Sequence, residues 1–504
     1  MNNTVSDFIS AAGEESTEPY TFLQILGISH WYSLIIFLFV LVTFILLIYK
    51  IVKKQKNIYL TTLILAGIGS IIYLILTAPP TPADLGASPT WKQESQDWLM
   101  LATNIFIELI IVIVPLFIFF TIIKTLNSNR HKQIKGSNLL KSFFSIWLMP
   151  FIAITIAILM FPLIAQINMA ASPGMIGDVN KDSQITTVPG IINSAVPGSI
   201  SIFISIEFIL SVVVFSIFMG FMINVIHRHD HQKGESLIKF SVNAQMIINK
   251  YIKMVSLLIP IVLATRLPLL FDYVTITETF IGLLTFIGVF LLGWVIVIFI
   301  ELSLTFATMR NRSTKNFFTY ISSYFGAAFV KHAAPVLLDE TIKESESLGV
   351  SKDVAELTSS MSTSMGQSTC GGFYPAMIAL MTVHMIMVNN GSTLATIGVG
   401  NIVAFLFVLY LIIMITNLGM TGVPGADTAV VISVLGALGL GLEYFATVFV
   451  IDGIINRVRG IANAFGFVAA NNIAERIIKT KKHKKESLVD ENIVIEGEVV
   501  NDDI

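Results

Sequence analysis

The sequence predicts an all-α polytopic membrane protein, and three observations predict it. Of the 504 residues 54% are hydrophobic and 13% are charged, where an average soluble domain carries roughly 25% charged residues. Several apolar runs reach the ~20 residues that a helix needs to cross a bilayer core. Basic residues gather in alternate links between those runs, which is how cytoplasmic links are marked. The same numbers exclude other classes. So few charges cannot cover several soluble globules, and hydrophobicity this high excludes disorder. A single cysteine, Cys370, excludes a disulfide scaffold, and a net charge of −2 leaves no footprint for nucleic acid. No Gly-rich nucleotide loop, His/Glu metal motif or nucleophile elbow is present, so the sequence supports no enzyme.

The clearest runs are residues 31–51, 58–78, 99–123, 143–167, 196–226, 254–271 and 279–304. The first lies too far from Met1 to be a simple signal peptide. The link after it holds Lys50, Lys53, Lys54 and Lys56; the link after the third holds Lys124, Arg130, Lys132, Lys135 and Lys141. Arg228, Lys233 and Lys239 follow the fifth, and Arg310, Arg312 and Lys315 follow the seventh. His227, His229 and His231 stand in the link after the fifth run, where a solvated basic loop is expected rather than a metal site. The intervening links carry little beyond Lys92 and Lys181. Alternate links are therefore placed inside, and residues 1–30, with Asp7, Glu14, Glu15 and Glu18, outside. The tail is basic, then acidic: five lysines from Lys479 to Lys485 suit anionic headgroups, and the acidic stretch Glu486 to Asp503 reads as disordered.

From 317 to 473 the apolar text is broken by Gly, Pro, Ser and Thr. Because both the link after the seventh run and the tail are basic, an even number of crossings separates them. The parity closes with nine crossings and two re-entrant hairpins, about 317–345 from the cytoplasm and 394–440 from outside. Broken backbone at membrane depth costs several kcal/mol for each unsatisfied group, and paired broken elements are the best sequence pointer to a transporter binding site. Three breaks stand out: Ala333-Ala334-Pro335; Met365-Gly366-Gln367-Ser368-Thr369-Cys370-Gly371-Gly372, inside a helix over 354–388; and Thr421-Gly422-Val423-Pro424-Gly425-Ala426-Asp427. The competing reading is Gly/Pro kinks in ordinary helices.

At these motifs the sequence resembles the dicarboxylate/amino-acid:cation symporters, which share the glutamate-transporter-like fold. The resemblance covers about 58–473. It is most specific at Gly419-Met420-Thr421-Gly422-Val423-Pro424-Gly425-Ala426, and next at Ile451-Asp452-Gly453-Ile454-Ile455-Asn456-Arg457-Val458-Arg459 with Asn463. Gln367-Ser368-Thr369-Cys370-Gly371-Gly372-Phe373-Tyr374-Pro375-Ala376-Met377 is similar to the bacterial cystine-uptake branch, as are the additional N-terminal helix and Lys-rich link over 31–57 and Gln96-Asp97-Trp98. The resemblance implies a plasma-membrane homotrimer in which a transport domain slides against a scaffold. It assigns 58–275 mainly to the scaffold, with 142–168 and 276–475 in the transport domain and 476–504 as a cytoplasmic tail. It implies uptake of an amino acid, L-cystine first, by symport with Na+ or H+ and without a cofactor. The alternatives are a dicarboxylate or glutamate-type symporter and a substrate sensor that does not transport.

Arg459 falls mid-membrane on the last long run, and an intramembrane charge is a functional candidate by default. The resemblance makes it the ligand of the substrate side chain; the alternative is an ion pair with Asp452 or Asp427. Asp452 lies two turns earlier on the same face and is a candidate for cation or proton handling, the alternative being a structural partner of Arg457 or of a helix N-terminus. Asn456 and Asn463 flank Arg459 on that face. Where the family usually has a substrate-holding aspartate this chain has Asn456, and Asp427 is expected to supply the missing charge, the alternative being a helix cap that faces water. The remaining substrate contacts implied are Ala334, Gln367, Ser368, Thr369, Cys370, Gly422, Val423, Pro424 and Gly425; by its own chemistry Cys370, a lone cysteine, reads as a small buried packing residue rather than a redox or metal ligand. Ion coupling is expected at Met365, Asn417, Met420 and Asp452. Two sodium-site carboxylates of the family are replaced here by Thr369 and Phe467, which puts sodium coupling in question and leaves a proton as the other ion. Glu108, Glu207, Glu301 and Arg266 lie in or near apolar runs without an assigned role.

Overall fold

A computed structural model describes residues 28, 31–55, 57–78, 90–127, 136–169, 209–272, 275–311, 313–331, 334–389, 402–418, 420 and 426–498, and every regular element among them is helical. In order these are α1 (Trp31–Val52), α2 (Ile58–Thr77), α3 (Thr90–Asn127), α4 (Gly136–Leu159), α5 (Ile209–His229), α6 (His231–Val255), α7 (Ile259–Arg266) and α8 (Ile276–Thr308). There follow α9 (Thr314–Lys331), α10 (Leu338–Ser347), α11 (Lys352–Met365), α12 (Tyr374–Asn389), α13 (Ile402–Asn417), α14 (Ala426–Ala437) and α15 (Glu443–Glu498). Seven helical segments among the described residues are long and apolar enough to cross a membrane. Of the nine runs expected to cross, the one over 196–226 lies partly outside the described residues. The last, which carries Asp452, Arg459 and Asn463, is not among the seven.

The chain forms two compact units. One comprises Met1–Ala102 with Pro260–Val274. Its core joins Ile36, Phe39 and Val40 of α1, Tyr73 and Leu76 of α2 and Leu99 of α3, with Leu269 packed against them. A Cβ on Gly69 would stand 2.3 Å from the Phe39 ring and 2.8 Å from Pro268, so α2 needs a glycine at this crossing. Lys92 and Asp272 make a 2.6 Å ion pair at one end of the unit. Arg266, at the end of α7, is fully buried.

The other unit comprises Thr103–Ile259 with Thr275–Ile504. Its spine is the pair α8 and α15, which run in the same direction. Trp294 donates to the Val458 carbonyl at 2.7 Å, and Arg476 to the Ala307 carbonyl at 2.7 Å. α4 runs alongside α11 and the turn that follows it: Ser142 accepts from Thr358 at 3.1 Å, and Ile146 and Pro150 lie against Gly366 and Gly372. α9 and α10 fold back antiparallel across the Ala334–Leu337 turn. Tyr324 and Thr341 share a 2.5 Å hydrogen bond, Ser323 donates to Glu344 at 2.9 Å, and Lys331 pairs with Glu340. Asn471 of α15 holds this hairpin, donating to Ser345 at 2.8 Å and to Ser359 of α11 at 2.7 Å. Tyr320, Tyr324, Leu337, Ile461, Phe465 and Val468 form the apolar core between the hairpin and α15.

Two expectations change. The basic link after the fifth run is not a loop. His227 and His229 end α5, and His231 opens the 25-residue helix α6. Asp230 caps α6, accepting from the Lys233 backbone N–H at 3.1 Å, and this hydrogen bond, with the Lys233 ammonium, holds its carboxyl below the usual carboxylate range. One face of α6 buries Ser241, Gln245, Ile248, Ile252 and Val255 at helical spacing, which is why a polar segment remains helical here. The second change is in the tail, where α15 continues as helix to Glu498. Lys and Glu are good helix formers, and a helix already nucleated can propagate through them.

Candidate functional site

The site begins with the break between α11 and α12. α11 ends at Met365, and residues Thr369–Phe373 form a π-helical turn, all five of them buried, before α12 resumes at Tyr374. Single π turns inside helices recur at functional sites. Here two glycines make the turn possible by removing side chains. A Cβ on Gly371 would lie 2.1 Å from Asn417 Oδ1, and one on Gly372 would lie 3.1 Å from the Pro150 backbone. The backbone groups freed by the break have partners. Asn463 Oδ1 of α15 accepts from the N–H of Thr369 at 2.8 Å and of Cys370 at 3.2 Å, while its Nδ2 donates to Gln367 Oε1 at 3.2 Å. Gln367 Nε2 reaches the Met420 carbonyl at 3.5 Å, and Asn417 Nδ2 donates to the Gln367 carbonyl at 3.3 Å. Three expected residues, Gln367, Asn417 and Met420, thus meet at one place, which ties the break to the end of α13.

One turn from Asn463, Arg459 is fully buried. Its Nη2 lies 2.6 Å from Asp427 Oδ2 and 2.9 Å from Asp452 Oδ1. Its Cζ stands 3.9 Å from the centre of the Tyr374 ring, and the Tyr374 hydroxyl donates to Asp452 Oδ1 at 2.8 Å. Asp427 Oδ1 accepts from the Thr428 N–H at 3.0 Å. The ion-pair alternative is therefore realised for Arg459, with both aspartates at once. Asp427 does not face water, and Asp452 pairs with Arg459 rather than with Arg457, which is exposed. The helix N-terminus of α14 places Asp427 where a carboxylate is favoured, and the seven-residue spacing on α15 sets Asp452 and Arg459 on one face.

Nε and Nη1 of Arg459 have no hydrogen-bond partner among the described residues. The same holds for the hydroxyls of Ser368 and Thr369 and for Oδ1 of Asn417. Buried polar groups are ordinarily satisfied, so this concentration of unsatisfied atoms around one break marks a place that receives something polar. The guanidinium suits a carboxylate; the neutral oxygens suit a cation or a donor.

The other expected residues are placed as follows. Cys370 is buried in the π turn, and Met365 is buried at the end of α11. Ala334 is buried at the hairpin turn, while Asn456 is half-buried on α15. Gly422, Val423, Pro424 and Gly425 lie outside the described residues, as does Glu207. Glu108 is exposed on α3, and Glu301 is buried on α8. Sequence reasoning passed over Tyr374, whose signal is an aromatic residue directly after a Gly-rich break, and Trp294, whose indole anchors the turn of α15 that carries Arg459.

The model of the sodium:dicarboxylate symporter family matches residues 58–477. An L-cystine uptake protein from Bacillus licheniformis is 26% identical over 299 residues, which span 58% of this chain and 60% of that protein. An uncharacterized symporter from Haemophilus influenzae is 21% identical over 470 residues, 88% of this chain and 99% of the relative. An L-cystine uptake protein from Bacillus thuringiensis is 28% identical over 134 residues, 26% of each chain. The match extends over four-fifths of the sequence and includes every residue of the Asp427–Arg459–Asp452 cluster and of the π turn. The chain is a multi-pass membrane protein with the glutamate-transporter-like fold, and it belongs to the sodium:dicarboxylate symporter family.

Proposed function

We propose that this protein is a plasma-membrane symporter that takes up an amino acid, L-cystine, driven by a cation gradient. The observation that carries the reading is the Arg459 guanidinium, fully buried, bound on one nitrogen by two aspartates and unpartnered on the other two among the described residues. Its unpartnered N–H groups suit a substrate carboxylate. With Asp427 and Asp452 ionised, the cluster carries one more negative than positive charge. That balance favours a ligand bringing an ammonium as well as a carboxylate, and disfavours a dicarboxylate, whose second negative charge would meet Asp427 or Asp452. Similarity to proteins named for L-cystine uptake supports cystine among the amino acids.

In this reading α4, α8 and α9–α15 move as the transport domain of an elevator, with the α9–α10 and α13–α14 hairpins re-entrant from opposite sides. The other helices form the scaffold of a homotrimer. The N-terminus is outside and the tail cytoplasmic. Asn463, Gln367, Ser368, Thr369, Cys370, Asn456 and Ala334 line the substrate with Arg459, and Gly422, Val423, Pro424 and Gly425 are assigned to the same role from the sequence. Met365, Asn417, Met420 and Asp452 serve the coupling ion, Na+ or H+. The reading is tested by uptake of labelled L-cystine into proteoliposomes with sodium and pH gradients imposed separately. Accumulation under one of them is expected. Saturable binding without accumulation under either would replace the symporter with a sensor. Competition by glutamate or a dicarboxylate in preference to cystine would replace the substrate.

A further inference from the structure

Glu301 stands apart from the cluster just described. It lies on α8, is 2% exposed, and neither carboxylate oxygen has a hydrogen-bond partner among the described residues. Three elements close around it. The Ser368 hydroxyl, at the start of the π turn, lies beside it. Gly466 of α15 leaves the room: a Cβ there would stand 2.7 Å from Glu301 Oε1 and 3.1 Å from Ser368 Oγ. Tyr320 of the α9–α10 hairpin is near enough to interact electrostatically with it.

We infer that Glu301 is a proton site of this symporter, binding one H+ on its carboxyl against Ser368 and Gly466 and carrying it with the transport domain. An ionised carboxylate without donors is expensive in such a place, and the usual outcome is that the group takes up a proton instead. Among the described residues no cationic side chain is placed beside it. Arg459 is seven residues from Gly466 along α15, about 10 Å by helix rise, and is already engaged by Asp427 and Asp452. Of the titratable groups on packed elements, Tyr320 interacts electrostatically with Glu301, and Tyr324 and Glu344 in turn with Tyr320. Cys370 and Tyr374 turn to the Arg459 cluster. A hard metal cation needs about six oxygen ligands, whereas among the described residues the oxygen placed beside the Glu301 carboxylate is the neutral Ser368 hydroxyl. The site also has a route to substrate occupancy. Ser368 directly precedes Thr369 and Cys370, whose N–H groups are held by Asn463 one turn from Arg459, so rearrangement of the π turn on binding alters the surroundings of Glu301.

This inference rests on the symporter reading for its role in coupling, but not for the proton itself, so two measurements separate them. Infrared difference spectra of the purified protein between low and high pH are expected to contain the C=O band of a protonated carboxylic acid that is missing in Glu301→Gln and shifted in Ser368→Ala. Identical bands in all three proteins overturn the proton site whatever the protein transports. In proteoliposomes, an inward pH gradient of one unit is expected to drive cystine accumulation of up to about tenfold for one coupled proton, with proton influx reported by an internal pH dye. In Glu301→Gln accumulation and proton influx are lost. Proton-coupled uptake at the wild-type level in Glu301→Gln, or accumulation driven by sodium alone and lost in the variant, overturns the proposal. If no cystine accumulates in the wild type while the infrared band depends on Glu301, the substrate reading fails and the proton site stands.

Discussion

The helices α1 and α15 invert one another. α1 is the more hydrophobic, without a charge until Lys50, and one broad face of it is exposed: Leu38, Leu41, Val42, Ile45, Leu46 and Ile48 all present their side chains outward. α15 is the more polar, and its stretch from Arg459 to Ala474 is buried throughout. In water the apolar helix would be inside. In a bilayer the outside is hydrocarbon, so the helix that touches lipid is the apolar one, and the helix enclosed by protein can hold Asp452, Arg459, Asn463 and Asn471. Its small residues, Gly460, Ala462, Ala464, Gly466, Ala469 and Ala470, let neighbouring helices approach closely. Low hydropathy in a buried helix is thus a sign of function.

The comparison can be broken in four further places. Arg459→Ala carries the largest expected effect: it leaves two buried carboxylates without their cation, a loss of about 3–5 kcal/mol, seen as a lower unfolding temperature in detergent and absence of cystine uptake. Full uptake in this variant would remove Arg459 from the site. Gly371→Ala forces a methyl onto Asn417 Oδ1 and is expected to cost about 1–3 kcal/mol, with uptake reduced at unchanged membrane insertion; a wild-type unfolding temperature and uptake would show that the close approach does not matter. Asp427→Asn keeps the shape but removes one negative charge, and cystine affinity is expected to fall about tenfold, or about 1.4 kcal/mol, measured by equilibrium binding. Unchanged affinity would reduce Asp427 to a partner of Arg459. Ile45→Ala on α1 should change stability by less than about 0.5 kcal/mol, because the side chain meets lipid or detergent on either count. A cost of several kcal/mol would mean that a protein partner covers this face.

Much of the site was legible in the sequence because polar residues in apolar text are rare. Asp427, Asp452, Arg459, Asn463 and the Gly-rich break each announce themselves as an expense the membrane does not tolerate without cause. An ion pair of Arg459 with Asp452 or Asp427 was legible only as an alternative, and pairing with both at once was not. Nothing in the spacing of Asp427 and Arg459, 32 residues apart, says that they touch at 2.6 Å, nor that Tyr374 stacks on Arg459 and donates to Asp452. Glu301 was visible as a charge within an apolar run, yet its neighbours Ser368 and Gly466 lie 67 and 165 residues away in sequence. The helical link at α6 was hidden for another reason: a basic segment bounded by histidines reads as a loop until its buried stripe is seen against α5.

The sequence by itself determined that the chain spans a membrane, which segments are apolar enough to do so, and where the backbone is interrupted. Those follow from transfer energies and local propensity, which depend on residues near one another along the chain. Only the tertiary structure decided which buried charges neutralise one another and which, like the Glu301 carboxylate and two nitrogens of Arg459, are left without a partner among the described residues. Coulombic pairing and desolvation depend on distance in space, and α8, the π turn, α14 and α15 bring together groups that the sequence keeps far apart.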